Sequence, residues 1–353
     1  MSKGHTTIVI GAYMGDEGKS KIATHIALKY NYDIAVRAGT GTNAGHSLYY
    51  NGRFIHTHQL PLAGVFAQWM GKDITIAVGS GVCFDYDQYI KEYTEYNLDF
   101  DDTIIDYRCP VILPEHKERE QSNSNYGEGR IGSTKTGTGE ARADYVRRIT
   151  NRLLDYNYSK VHLADVAKIV NQGYDEGKKI IIEGSQAHYL SLYLSPYYPV
   201  VTSDNCTAMA FADDAGLAWN RIDDVCMVVK SAPTMVAQNV GILPSEISRE
   251  EMEKRNIVER GVTTGRIRRK SLDIPFDLLN DAVMINQPTY FALTFCDHVD
   301  DFKDVKLPEI VMCEDLIRFP KTYANILELE KRFQIPVRFI EYGKELDCIS
   351  EVM

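Results

Sequence analysis

The stretch TTIVIGAYMGDEGKSK, residues 6–21, places an apolar, β-branched run directly before a glycine-rich turn and a lysine. This order predicts a buried strand, a phosphate-binding turn and a helix, because glycines let the backbone approach a ligand and free amides at a helix start bind phosphate. The turn does not have the spacing of a Walker loop, since Tyr13 stands where that motif requires its first glycine. The stretch therefore predicts an α/β fold with a phosphate site of another kind.

Two acids, Asp16 and Glu17, lie within this turn, just before Lys19. An aspartate beside a phosphate site is suited to hold Mg²⁺ or to accept a proton. A strand-to-helix turn with solvated acids is the alternative that requires no function. The motifs that accompany the turn must decide between the two interpretations.

The composition of the whole chain excludes several classes of protein. With 353 residues, of which 44% are hydrophobic and 25% charged, the chain has enough apolar residues to bury a large core. Its formal net charge of -10 argues against binding to nucleic acid or to anionic membranes, which requires a basic surface. Seven scattered cysteines without a C-x-x-C pair indicate reduced thiols, and neither a signal peptide nor a membrane-length apolar run is present. We expect a cytoplasmic protein.

Further apolar runs indicate the fold class. Runs without polar alternation are typical of a parallel sheet that is covered on both faces, and a helical pattern, SKIATHIALKY at 20–30, lies between them. We predict an α/β fold with a mainly parallel central sheet flanked by helices. The runs are ITIAVGSG at 74–81, KKIIIEGSQ at 178–186 and VCMVVKS at 225–231.

The segment 84–177 has a different composition, rich in Tyr, Asp, Glu, Arg and Asn. We expect it to form a helical and loop insertion within a single domain that spans 1–353, with helical stretches at 85–96 and 143–156. The polar, glycine-bearing run 118–145 is too long for a simple connection, which favours a functional loop.

A second glycine-rich stretch, RAGTGTNAGHSLYYNGRFIHTHQLP at 37–61, offers an amide in Asn43 and an imidazole in His46. A histidine between a glycine and a serine in such a loop is suited to contact a transferring phosphate. His56 and His58 lie two residues apart on a predicted strand and so share one face. Since no third ligand is nearby in the sequence, we expect these two histidines to pack rather than to bind a metal.

The two motifs GDEGKSK at 15–21 and NAGHS at 43–47 together resemble the adenylosuccinate synthetase family. The resemblance continues in family order over nearly the whole chain and implies a P-loop-related α/β fold. The short length and the stretch IIDYRCPVILPEHKE look most like the compact archaeal and phage branch of the family. The further segments that carry the resemblance are VGSGVCFDYDQYIKE, STKTGTGEARADYVRR, IIIEGSQ, YYPVVTSDNCTA, GVTTGRIRR and ALTFCDHVD.

The resemblance implies a two-step ligation that depends on GTP and Mg²⁺. The γ-phosphate of GTP would move to O6 of a 6-oxopurine nucleotide, and the amine of L-aspartate would then displace it. Asp16 would remove the N1 proton and bind Mg²⁺ with the backbone of Gly45 near the metal, and His46 would stabilise the phosphoryl group in transit. The implied GTP-binding residues are Gly18, Lys19, Ser20, Ser47, Phe295, Asp297 and Gly343.

The resemblance also implies how the bases and the aspartate are bound. A carboxylate at Asp297 accepts from both N1–H and the 2-amino group of guanine, which favours GTP over ATP. Arg148 would reach across the interface of a homodimer to the purine monophosphate, with the adjacent Arg147 as the alternative assignment. The implied residues for the purine monophosphate are Asn43, Thr134, Arg148, Gln186, Thr202, Val236 and Arg266, and those for aspartate are Thr263, Thr264, Arg266 and Arg268.

The chain departs from the family pattern around the acceptor. Met14 replaces a tryptophan, Met235 an arginine, and Ala187 and Ala237 replace glycines. A related phage enzyme type, 2-aminoadenylosuccinate synthase, uses dGMP on the way to diaminopurine DNA, although many of its members have serine in place of Asp16 and are associated with ATP. We therefore expect dGMP as the acceptor and GTP as the donor. The alternatives are IMP, as in ordinary adenylosuccinate synthetase, and a non-catalytic GTP-binding regulator.

Overall fold

An eleven-stranded sheet is the central feature of the computed structural model, which describes residues 3–127, 130–235, 243, 245–261 and 263–353. The strands, in chain order, are β1 (His5–Gly11), β2 (Ile34–Ala38), β3 (His46–Tyr50), β4 (Arg53–Thr57), β5 (Thr75–Val78), β6 (Thr103–Asp106), β7 (His162–Ala164), β8 (Lys179–Ala187), β9 (Asp224–Lys230), β10 (Thr234–Met235), β11 (Arg269–Lys270), β12 (Tyr290–Thr294), β13 (Ile310–Val311), β14 (Val337–Glu341) and β15 (Ile349–Val352).

The sheet has the strand order β13-β15-β14-β12-β9-β1-β8-β2-β5-β6-β7. Its neighbouring strands are parallel, except for the antiparallel pair β14 and β15. Two antiparallel ribbons, β3 with β4 and β10 with β11, lie outside it. The apolar runs found in the sequence form β1, β5, β8 and β9, so the prediction of a mainly parallel α/β sheet is confirmed.

Helices flank the sheet and divide the core into two parts. Ile8 and Ile10 of β1 pack into one part with Phe211, whereas Val9 packs into the other with Ile22, because successive side chains of a strand point to opposite faces. Among the described residues, none of the helices combines the length and the apolar character needed to span a membrane. The helices are α1 (Lys19–Lys29), α2 (Leu62–Trp69), α3 (Tyr86–Glu95), α4 (Pro114–Ser122), α5 (Thr138–Arg147), α6 (Val166–Asp175), α7 (Ala208–Ala215), α8 (Arg249–Lys254), α9 (Phe276–Asn286) and α10 (Pro320–Phe333).

The segment 84–177 contributes to the sheet as well as forming the expected helices and loop. Strands β6 and β7 extend the main sheet at one edge, each parallel to its neighbour. These strands have four and three residues, which is too short for a periodic pattern to distinguish them from the surrounding loops. The segment therefore differs from a purely helical and loop insertion.

The predicted helical stretch at 143–156 is wrong in its second half, because α5 ends at Arg147. Arg148 adopts a left-handed φ of 62°, and the backbone N–H of Ile149 donates to the carbonyl of Asp144 at 3.1 Å. This is the hydrogen bond that closes a helix C-terminus. The alternation of apolar and charged residues alone did not reveal that stop.

Because these strands are parallel, the C-terminal ends of β1, β2, β8, β9 and β12 lie together at one end of the sheet. Loops that follow these ends lie side by side, as is usual for ligand sites in open α/β sheets. The donor loop, residues 12–18, joins β1 to α1, and α1 begins after Gly18 with a left-handed φ of 80°. The predicted strand, turn and helix at 6–21 are confirmed.

Candidate active site

A cavity of about 590 Å³ lies at the C-terminal ends of these strands and is lined by most of the predicted site residues. Asp297, Gly343, Arg148 and Arg266 do not line it, and Val236 lies outside the described residues. The predicted residues that line the cavity are Asp16, Gly18, Lys19, Ser20, Asn43, Gly45, His46, Ser47, Thr134, Gln186, Thr202, Thr263, Thr264, Arg268 and Phe295.

Glu17 holds the donor loop in shape. Its buried carboxylate accepts hydrogen bonds from the backbone N–H groups of Tyr13 and Gly15, at 3.2 and 2.8 Å, and from the Lys19 ammonium at 3.0 Å. Gly15 has a φ of 96°, in the left-handed region that favours glycine. One of the two acids in the loop is therefore structural, a role that the sequence reasoning did not assign.

Asp16, the other acid, connects the donor loop to the predicted binding site for the substrate L-aspartate. Its φ of 60° is uncommon for a residue other than glycine. Its Oδ2 lies 2.6 Å from Nη2 of Arg268, and its backbone carbonyl accepts a hydrogen bond from the Lys230 ammonium at 2.9 Å. The carboxylate remains 34% exposed, so it is accessible from the cavity.

His46 is buried beside two charged residues of the central sheet. Nδ1 of the ring is hydrogen-bonded to Glu183, and the Arg37 guanidinium lies against the ring. Burial and then the nearby Arg37 lower the pKa of His46 to about 4, so the ring is neutral near pH 7. Burial raises the pKa of Glu183, but His46 and Arg37 together bring it down to about 2. The ring is thus held in place as a neutral group.

Arg37 and Glu183 were missed by the sequence reasoning, although a signal for Glu183 existed. Both are fully buried, and they are register partners on the neighbouring parallel strands β2 and β8. Arg37 lies on β2, which was not among the predicted strands, whereas Glu183 directly follows the three isoleucines of a predicted strand. Because a buried charge needs a partner, an acid that directly follows a buried apolar run was the signal for Glu183, whose partner is His46.

The acceptor loop, residues 131–137, is organised by Glu120 of α4. The buried Glu120 carboxylate accepts hydrogen bonds from the Ser133 hydroxyl at 3.0 Å and from the N–H groups of Gly137 and Gly139 at 3.0 and 2.8 Å. These bonds shape the loop that carries Thr134 into the cavity. Glu120 has no sequence motif that would have marked it.

The predicted monophosphate residues that line the cavity include two hydrogen-bonded groups. The hydroxyls of Thr134 and Thr136 lie 3.2 Å apart, and those of Thr136 and Thr138 lie 3.1 Å apart. The side-chain amide of Asn43 donates to the Thr202 hydroxyl at 3.1 Å. The cavity thus presents hydroxyls and amides of the kind that bind phosphate oxygens.

Two predicted arginines have other positions. Arg266 donates to the carbonyls of Gly132 and Ser133 at 3.1 and 3.4 Å. It therefore connects the segment that carries the predicted L-aspartate ligands to the acceptor loop and does not line the cavity. Arg148 and its neighbour Arg147 are exposed at the end of α5 and do not line the cavity of their own chain.

The residues that are predicted to bind the guanine base of the donor lie near the ends of β12 and β14, a region called here the donor-base end. Glu341, which the sequence reasoning missed, accepts hydrogen bonds from the Phe295 N–H at 2.7 Å and from the Lys21 ammonium at 2.8 Å. Lys21 also donates to the Gly343 carbonyl. Burial and then the neighbouring Glu341 raise the pKa of Asp297 to about 7. This end of the site therefore contains a carboxyl group that titrates near neutral pH.

His56 and His58 make ring contacts within their own segment rather than with a facing strand. The His56 ring stacks on Phe54 with 5.3 Å between ring centres, and His58 lies one residue beyond β4 with its ring at 88° to that of His56. Within the described ranges of the chain, no group of three or more His, Cys, Asp or Glu side chains is arranged to hold a metal. These histidines are part of the packing.

The fold and the cavity indicate a class of protein: an α/β enzyme in which the glycine-rich turn predicted to bind phosphate lies beside Arg268, an arrangement that suits a nucleotide-dependent ligase. The adenylosuccinate synthetase family model matches residues 8–162 and 152–335. Adenylosuccinate synthetases of Thermococcus sibiricus and Methanococcus aeolicus are 38% and 37% identical to the chain, covering 98% and 96% of it and 98% and 97% of their own lengths. The chain belongs to the adenylosuccinate synthetase family of GTP- and Mg²⁺-dependent carbon–nitrogen ligases.

Two solved structures share the fold. The fully ligated adenylosuccinate synthetase of Plasmodium falciparum has a TM-score of 0.85 at 21% identity and covers 99% of this chain and 100% of its own. The succinoaminodeoxyadenylate synthetase of cyanophage S-2L, bound to dGMP and dATP, has a TM-score of 0.80 at 18% identity and covers 99% of this chain and 96% of its own. At these identities the likeness establishes the fold alone.

Proposed function

We propose that this chain transfers the γ-phosphoryl group of GTP to O6 of a purine nucleoside monophosphate and then replaces the phosphate with the amine of L-aspartate. In the first step Asp16 accepts the N1 proton, a bond forms between O6 and the γ-phosphorus, and GDP leaves. In the second step the amine nitrogen bonds to C6, phosphate departs with O6, and the amine loses a proton. The product is a purine nucleotide that carries a succinyl group on N6.

The contact between Asp16 and Arg268 is the observation that carries this proposal. A guanidinium is suited to bind a carboxylate, and Thr263 and Thr264 line the same cavity. A dicarboxylate bound there would place its amine beside the residue that deprotonates N1, which is adjacent to the carbon under attack. A GTP-binding regulator requires no such neighbouring base and carboxylate site.

The residues present fit a magnesium ion. Mg²⁺ prefers oxygen ligands and is commonly held by one or two carboxylates together with substrate phosphates. Asp16 supplies an accessible carboxylate, and Gly45 lines the same cavity, so these residues would hold the ion. When bound, the ion would neutralise charge on the phosphates. His46, whose Nδ1–H is directed to Glu183, would stabilise the transferring group by donating from Nε2 once the charge of the bound phosphates favours the protonated ring.

For the acceptor we favour dGMP. Met14 lines the cavity where the family has tryptophan, and a thioether side chain is smaller and more adaptable than an indole. The Asp16 carboxylate can accept from the 2-amino group of guanine as well as from N1–H. IMP is the second candidate, because the archaeal relatives that are 38% identical to the chain are adenylosuccinate synthetases.

The exposed position of Arg148 supports a homodimer. Because this side chain lies outside the cavity of its own chain, it is available to complete the acceptor site of a second copy. Equilibrium sedimentation of the protein with and without nucleotide tests this assembly. Arg148→Ala should then raise the KM of the purine monophosphate without changing that of GTP.

Substrate comparison tests the proposed reaction. The purified protein would receive GTP, Mg²⁺ and L-aspartate with IMP, GMP or dGMP, and each assay would be repeated with ATP. Aspartate-dependent release of phosphate with dGMP is the expected result. Turnover with IMP alone would overturn the choice of acceptor, and phosphate release that does not depend on aspartate would overturn the ligase reaction.

A further inference from the structure

Lys230, the last residue of β9, is a fully buried lysine to which the proposed reaction gives no role. Its ammonium donates to the Asp16 carbonyl at 2.9 Å, to the Thr234 hydroxyl at 3.2 Å and to the Glu259 carboxylate at 2.6 Å. The same ammonium lies 4.0 Å from the centre of the Phe295 ring, within the range of a cation–π interaction. One charged group therefore contacts four surrounding residues.

These partners belong to different parts of the cavity. Asp16 lies in the donor loop, Phe295 lies at the donor-base end, and Glu259 begins the segment that leads to the predicted aspartate ligands. All three line the cavity, as does Lys230 itself. A single buried ammonium thus connects the parts that would bind the phosphates, the donor base and the aspartate.

Two of the partners have strained backbones. Asp16 has a φ of 60° and Phe295 a φ of 55°, both in the left-handed region that residues with a side chain rarely adopt. Such conformations persist where the surroundings hold them in place. Lys230 contacts both of these residues, one through its carbonyl and the other through its ring.

We propose that Lys230 is a positioning residue that holds Asp16 and Phe295 in these conformations. It thereby fixes the general base, Asp16, relative to the guanine of the donor. The inference rests on the proposed function, in which Asp16 is the base and Phe295 stacks on the donor. Lys230 acts through these two residues and is not itself a participant in bond making or bond breaking.

Lys270 provides a matched control. It is also fully buried, and it also contacts Glu259, at 3.0 Å, but its ammonium lies 5.9 Å from the centre of the Phe295 ring. Its described hydrogen bonds are to Glu259 and His298, not to the donor loop. Deleting either lysine leaves Glu259 paired with the other one, so neither change leaves this carboxylate, which is 16% exposed, without a cation.

The test compares Lys230→Met with Lys270→Met in the intact protein. We expect similar decreases in melting temperature for both variants. Because small misplacements of reacting groups have large effects on rate, we expect Lys230→Met to lower kcat by about 10- to 100-fold and to raise the KM of GTP, while Lys270→Met keeps kcat within about threefold. The KM of the purine monophosphate should rise as well in Lys230→Met, because Asp16 contacts the acceptor base in the proposed reaction.

Equal losses of kcat in the two variants, or a kcat of Lys230→Met within about threefold of the unmodified chain, would overturn the inference. If Lys230→Met does not fold, Lys230→Gln replaces it, since the amide still donates one hydrogen bond but carries no charge; the same kcat comparison then decides. If the unmodified chain has no aspartate-dependent turnover, the proposed function itself fails, which is a different result from equal effects of the two lysine variants.

Discussion

The donor loop and the acceptor loop are each held by a buried glutamate, but the two glutamates have different origins. Glu17 belongs to the loop that it holds, whereas Glu120 lies on α4 and reaches a loop that precedes α5. Both accept two backbone N–H groups, yet Glu17 also pairs with the Lys19 ammonium, whereas the hydrogen-bond partners of Glu120 within the described ranges are uncharged. The donor loop is thus a local structure that its own sequence specifies, while the acceptor loop depends on a neighbouring helix.

The largest expected effect distinguishes the proposed catalytic acid of the donor loop, Asp16, from its structural acid, Glu17. Asp16→Asn should lower kcat by about 10²- to 10⁴-fold, because a general base contributes about that much to a rate. Its stability should fall less than that of Glu17→Gln, because asparagine tolerates a left-handed backbone and the carboxylate lost from the contact with Arg268 is 34% exposed. Steady-state rates with saturating substrates and a thermal melt check both points. Near-normal turnover would mean that the base lies elsewhere.

The next effect concerns Glu17. Glu17→Gln should lower the free energy of unfolding by about 3 kcal/mol, because it leaves the buried Lys19 ammonium without a counter-charge. A urea titration measures the change, and the KM of GTP should rise with it. If the unfolding free energy hardly changes, the donor loop does not depend on its own glutamate, and the contrast with the acceptor loop disappears.

Glu120→Gln should have a smaller effect, a loss of about 1–2 kcal/mol of unfolding free energy, because one acceptor oxygen is lost but no buried cation is left unpaired. The KM of the purine monophosphate should rise while that of GTP stays constant. The same urea titration, run beside that of Glu17→Gln, gives the comparison. A larger loss of unfolding free energy for Glu120→Gln than for Glu17→Gln would contradict the proposal that the donor loop depends more strongly on its glutamate than the acceptor loop does.

The smallest effect is a pH dependence at the donor-base end. With the pKa of Asp297 raised to about 7, its carboxyl becomes protonated as the pH falls from 8 to 6 and no longer accepts two hydrogen bonds from guanine. The KM of GTP should therefore rise several-fold, up to about tenfold, over this interval. Assays of KM at several pH values check this, and Asp297→Asn should remove the dependence.

The raised pKa of Asp297 also has a definite sign for stability. Between its ordinary value of 3.8 and about 7, the folded protein binds this proton more tightly than the unfolded chain does. The contribution of Asp297 to the free energy of unfolding therefore falls as the pH rises through that window. A flatter stability profile in Asp297→Asn between pH 4 and 7 is the expected control result.

The sequence was sufficient for the features that local patterns encode. The apolar runs predicted β1, β5, β8 and β9, and the glycine-rich turns placed Asp16 and His46 at one cavity. The short strands β6 and β7 and the end of α5 at Arg147 had no comparable local signal. Glu120 and Glu341 were missed for another reason: their partners are distant in the chain, so only the fold reveals what they bind.

The buried pair Arg37 and Glu183 has a consequence for how the central sheet assembles. The two residues face each other across β2 and β8, and both are completely enclosed. A shift of β2 by one residue along β8 would bring Arg37 opposite an isoleucine or a glycine and would move the two opposite charges apart. The apolar residues discriminate less between alignments, because β2 begins Ile-Ala-Val and β8 has three consecutive isoleucines before Glu183. The opposite charges of Arg37 and Glu183 therefore favour one alignment of the two strands over the alternatives.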